Sequence, residues 1–275
     1  MAKLFGFVQF DFAGTLPLAE GRYLVGEPRS GEETVLVLQR LDAPVTERRR
    51  RRGRPTPAEP DPAPVSLTRA TVIRAASPLE DQASAARWLD ETCEDEDKVD
   101  VLAAEATKIL NQALHAQAVA AADPHLRQLS PEQAERALIG YGSGEETADG
   151  RFTDARQVDV GPRSASRRRQ REEQLRPQER VSAILRGREQ LDACETLLLR
   201  ARADLDAGRD REAALQLRVG VEALLAELKD AADDPDDQAD LASLQEGRAG
   251  DQQASMEGRL ETAERILRRR RVLGS

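Results

Sequence analysis

Cysteine, lysine, histidine and aromatic residues are all scarce in this chain, and each scarcity removes a class of explanation. Two cysteines, Cys93 and Cys194, cannot build a disulfide framework across 275 residues. His115 and His125 are the only histidines, and with Cys93 they form no compact metal-ligand spacing. No grouping of His, Asp and a nucleophile is apparent either, so no catalytic residue, metal ligand or cofactor is assigned. Aromatics make up 3% of the chain, against 33% charged residues, which disfavours a large aromatic-rich β structure. No apolar run approaches the ~20 residues needed to span a bilayer. Asp11 interrupts the apolar N-terminal stretch before a signal-peptide core develops, so a soluble, cytoplasmic protein is expected.

What is abundant is arginine and acid. Lysine occurs only at positions 3, 98, 108 and 229, so all but four of the 41 basic residues are arginine. The formal net charge is still −9, which opposes nonspecific attraction to polyanions, although local basic patches can override it. The densest patch is VTERRRRRGRPTPAEPDPAPV, residues 45–65, with Arg48, Arg49, Arg50, Arg51, Arg52 and Arg54 as candidate phosphate contacts. Glu47, Glu59 and Asp61 reduce its charge to +3, and it has no aromatic to stack on a base. Its prolines forbid a continuous recognition helix. It reads as a disordered Arg/Pro-rich insertion between two strands. Nucleic-acid association through this and the other arginine clusters, 167–169 and 268–271, is the alternative function.

Along the chain, the pattern predicts an α+β fold. A small antiparallel N-terminal sheet with helices spans 1–160, and a helical-hairpin module follows. In LFGFVQFDF, Leu4, Gly6, Val8, Phe10 and Phe12 share one parity, with Gln9 and Asp11 on the other. Further strands are expected at 21–25, 34–41, 66–74 and, more weakly, 152–160. SPLE at Ser77–Glu80 reads as a capping box opening a helix with Ala83, Ala86 and Leu89 on one side. SPEQ at Ser130–Gln133 repeats it, predicting a helix through Ile139 that Gly140 ends. Between them, Val99, Leu102, Ala106, Ile109 and Ala113 trace a longer amphipathic helix.

Residues 161–176 read as a polar linker. A long helix is expected from Pro177, with Val181, Ile184, Leu185, Leu191, Cys194, Leu198 and Leu205 on one stripe. DAGRD breaks it at Gly208, and a second helix carries Ala214, Leu217, Val221, Leu224 and Leu228, giving an antiparallel hairpin over 177–229. An acidic flexible linker is expected at 230–252 and a terminal helix at 253–272, marked by Met256, Leu260, Ala263 and Leu267.

Three surfaces are candidates for function. In GYGSGEETADG, Gly140–Gly150, the glycines depart from both the dinucleotide and P-loop patterns, leaving Tyr141 and Asp149 as candidates for a polar site, enzymatic if anything. The acidic DDPDD, Asp233–Asp237, reads as a solvated surface segment. In the hairpin, Leu198, Leu217 and Leu224 are expected to hold the two helices together. Leu199, Leu215 and Leu225 lie outside that seam and are expected to bind a partner protein or another copy of the chain.

The residues LLLRARADLDAGRDREAALQLRVGVEALL carry a local resemblance to a tetratricopeptide-type helical hairpin. Leu197, Ala201, Gly208, Ala213 and Leu217 match its packing positions, while Arg200 and Gly220 depart from it. As a whole the chain resembles uncharacterised arginine-rich families of actinobacteria, a resemblance that implies no activity. The expected function is a non-enzymatic interaction or scaffolding protein.

Overall fold

The computed structural model describes residues 3–26, 33–41, 66–125, 127–160, 180–228, 235–246 and 254–273. The chain divides into two compact units, Met1–Arg163 and Ser164–Ser275. The expected insertion at 45–65 and the linker at 161–176 lie outside the described residues.

The first unit is α+β. Its strands are β1 (Leu4–Ala13), β2 (Gly21–Gly26), β3 (Glu33–Leu41), β4 (Leu67–Leu79), β5 (Ala134–Ser143) and β6 (Asp154–Val158). They form one antiparallel sheet in the order β2-β3-β4-β1-β5-β6. Two helices, α1 (Gln82–Cys93) and α2 (Glu96–Ala121), pack against it, and the short α3 (Gly144–Ala148) follows β5.

Strand alternation sorts the apolar residues onto two faces. Val8, Phe10 and Phe12 join Leu36, Leu38, Val72 and Ile139 beneath Leu89, Leu102, Leu110 and Leu114 of α1 and α2. The opposite parity puts Phe7, Val37 and Ile73 with Ala148 in a smaller cluster. Gln9 and Asp11 occupy this second parity as expected, yet both are buried. The reason is position, because β1 lies between β4 and β5 in the interior of the sheet. Both side chains are satisfied there. Thr71 Oγ1 donates to Gln9 Oε1 at 3.2 Å, and Arg69 grips Asp11 with two hydrogen bonds of 2.8 and 2.9 Å.

Both capping-box helices are corrected. Residues 77–79 do not open a helix: β4 continues through them, pairing Phe5 with Pro78 and Leu4 with Leu79 beyond an irregularity in β1. The helix starts later, where the Asp81 side chain accepts the Ser84 amide at 2.7 Å. Its buried face is consequently Ala85, Leu89 and Thr92, and Ala83 is exposed. At SPEQ, the Ser130 amide does donate to Gln133 Oε1 at 2.9 Å, but the box closes only a single 3₁₀ turn, Pro131–Gln133. The expected helix is strand β5, where Ala137 and Ile139 pair with Phe10 and Val8. Asn111 on α2 directs this entry. Its amide donates to Leu129 O and accepts from Leu129 N, both at 2.8 Å. The long helix itself is as expected, with Val99, Leu102 and Ala106 buried and Ile109 and Ala113 flanking the core.

The second unit is helical: α4 (Ala193–Asp206), α5 (Asp210–Glu227), α6 (Pro235–Glu246) and α7 (Ala254–Leu273). A helical turn at 180–185 precedes α4. The single long helix expected from Pro177 is thus broken, because Gly187 adopts φ +69° and ends the first turn. In α5 the buried alanine is Ala213 rather than Ala214. The acidic stretch is also corrected: from Pro235 it is helix α6, whose Leu241 and Leu244 enter one core with Leu198, Leu217, Leu224, Leu260 and Ile266. Proline is favoured at a first helical position, where its missing N–H costs nothing. Apolar residues six and nine positions beyond it supply the docking face.

Candidate functional site

The hairpin of α4 and α5 is built by close approach. A Cβ on Gly220 would sit 3.0 Å from the Leu198 side chain, so the glycine that departs from the tetratricopeptide pattern is the contact surface for that leucine. Leu198, Leu217 and Leu224 are buried in the seam, as expected. At the open end, Glu227 of α5 caps α4 across the hairpin. Its two carboxylate oxygens accept the amides of Ala193 at 3.1 Å and Cys194 at 3.2 Å.

Two of the three expected partner residues face outward. Leu199 is 65% exposed and Leu215 is 51% exposed. Leu225 is corrected: it is half-buried and packs against the helical core, which α6 and α7 enlarge beyond what two helices alone provide. Val219, one turn after Leu215, is exposed and was missed. Its spacing of four from Leu215 on a helix was the available signal.

The polar-site candidates separate. Tyr141 is buried in the main core of the first unit, so it is corrected from surface to interior. Asp149 is at the surface, where it accepts from Arg22 at 2.7 Å and lies 3.6 Å from Arg151. Gly140 and Gly142, which flank Tyr141, serve packing. Gly140 lies in register with Phe7 on one side and Ala155 on the other. A Cβ there would fall 2.5 Å from Asp154 O and 2.7 Å from the Phe7 ring, and one on Gly142 would fall 2.6 Å from Thr147 Oγ1. Gly140 is required by close contact within the sheet and Gly142 by close contact with α3.

Arg48 to Arg52 and Arg54 lie outside the described residues. Several of the described arginines are committed to carboxylates. Arg202 holds Glu264 through bonds of 2.9 and 3.1 Å, and Arg209 reaches Asp204 at 2.7 Å. Arg156 pairs with Asp90. In the terminal cluster, Arg269 pairs with Asp237 at 2.7 Å and also with Asp240, which Arg265 holds at 2.8 Å. Asp237, assigned to a solvated segment, is therefore a buried ion-pair member.

The arginines hold the Asp240 carboxyl down to about 2, hydrogen bonding from Arg265 being the main cause. A carboxyl depressed in the folded state stabilises fully above its unfolded value of about 4. That contribution is lost as pH falls from about 4 through 2. Thermal melts across this window should show a loss of stability in the native chain. The Asp240→Asn variant should start less stable and show a flatter pH slope; identical slopes would mean that this pair does not support folding.

Asp192, Cys194 and Glu227 bring three ligand-type atoms within 4.8 Å of one another. The Glu227 oxygens already serve the α4 amides, and burial, with Glu227 alongside, pushes the thiol up to about 12. The arrangement is accounted for as a helix cap. Among the described residues no helix is long and apolar enough to cross a membrane. Compared with known proteins, the chain matches no family model, no curated protein and no solved structure.

Proposed function

We propose that this is a non-enzymatic cytoplasmic interaction or scaffolding protein, whose helical hairpin binds a partner protein or a second copy of the chain. The observation that carries this reading is the division of leucines on the hairpin. Leu198, Leu217 and Leu224 are used internally, while Leu199 and Leu215 stay in contact with solvent. Val219 extends the outward apolar surface of α5 by one turn.

Burying a leucine is worth roughly 1.5–3 kcal/mol, or about ten- to a hundredfold in affinity. Leu199→Asp or Leu215→Asp should weaken self-association, or capture of a protein from native lysate, by at least that factor. The variants should retain native helicity. Sedimentation over a concentration series and nuclease-treated pull-down are the measurements. If both variants associate as the native chain does, the hairpin is not the contact surface.

A further inference from the structure

We infer that residues 180–206 have a second conformation, a single continuous helix, reached by straightening the bend at 186–192. This inference is independent of the partner-binding reading.

The sequence carries the pattern of that helix unbroken. Ile184, Leu191, Leu198 and Leu205 recur at a strict seven-residue spacing, and no proline lies between 178 and 234. Only the second half of this seam is used in the bent state. Leu198 is buried and Leu205 is partly packed against the helical core. Leu191 is 56% exposed, and Leu185 is 81% exposed. Among the described residues, no apolar side chain from 181 to 191 joins that core.

What holds the bend is instead polar and local. Gly187 ends the first turn at φ +69°, with Gly187 N donating to Ile184 O and Arg188 N to Ala183 O, each at 2.9 Å. Arg180 then reaches over the bend to Glu189 at 2.6 Å and Glu195 at 2.7 Å. In a straight helix Arg180 and Glu195 would stand about 22 Å apart along the axis. Both ion pairs therefore exist only in the bent state. With the Glu227 cap on the Ala193 and Cys194 amides, which a continuous helix would replace by its own carbonyls, they are the differential contacts that set the equilibrium.

Two substitutions bias it the same way by separate means. Gly187→Ala penalises the left-handed turn and favours helix, shifting the ratio roughly thirtyfold toward the straight form. Its Cβ meets nothing within 4 Å, so it adds no clash. Arg180→Gln removes the clamp. The readout is the distance between spin labels on Arg186→Cys and Arg200→Cys, placed in the full chain carrying Cys93→Ser and Cys194→Ala. These positions are two heptads apart and both exposed. A continuous helix separates them by about 21 Å. The expected result is a peak near that distance that grows in both substituted chains relative to their parent. A distance distribution left unchanged by either substitution overturns the inference.

Discussion

Leu217→Asp is expected to unfold the helical unit, whereas Leu215→Asp, two residues earlier on the same helix, leaves it folded. Leu217 is buried in the core shared by α4 to α7, and Leu215 is half in solvent. Truncating a buried leucine alone costs about 2–5 kcal/mol. A carboxylate at that position adds the penalty of an unpaired charge among apolar neighbours. Together these approach or exceed the roughly 5–15 kcal/mol that holds an ordinary domain. Circular dichroism should therefore show a large loss of helix for Leu217→Asp at room temperature. For Leu215→Asp the melting curve should stay close to native. Unfolding by both substitutions would place Leu215 in the internal core and remove the basis for its role in association.

Gly140→Val should be nearly as damaging in the first unit. The new Cβ would meet Asp154 O at 2.5 Å, Ala155 Cβ at 2.6 Å and the Phe7 ring at 2.7 Å. Two of these neighbours belong to the adjoining strand and cannot move without opening the β5–β6 ladder. Overpacking of this kind costs about 1–3 kcal/mol, and here the upper end or more is expected. Gly26→Val is the control, because nothing lies within 4 Å of its added Cβ and valine suits a strand. Trp88, the chain's one tryptophan, lies on α1 and reports on this unit by fluorescence during denaturation. Equal midpoints for the two variants would mean that β5 does not run as closely beside β1 and β6 as described.

The glycines illustrate how much of the candidate site was readable. GYGSG announces an unusual backbone, but the residue types do not say whether a ligand or a neighbouring strand makes the close approach. In the fold it is Phe7 and β6, residues separated from Gly140 in opposite directions along the chain. Tyr141 went to the interior for the same reason: its parity was evident only once β5 was a strand. Leu199 and Leu215 were legible as outside the seam because helical spacing alone places them there. Leu225 was not, since it packs against a core to which four helices contribute.

By itself the sequence determined the α+β composition, the division near residue 160, strands β1 to β3 and β6, the long helix α2, and the hairpin turning at Gly208. These rest on periodicities and turn residues that act over a few positions. Tertiary structure decided whether SPLE and SPEQ would open helices, because β1 offers unpaired backbone on both sides, and residues 78–79 of SPLE and the strand that follows SPEQ complete its ladder. It also decided that Gln9 and Asp11 would be buried, since only strand order puts β1 between two neighbours. The acidic α6 became a helix because Leu241 and Leu244 found a core and Asp237 and Asp240 found arginines on α7. The bend before α4 combines the left-handed Gly187 with Arg180 meeting Glu195 across fifteen residues. Pairing partners at long range are set by the whole chain's packing, and no local pattern carries them.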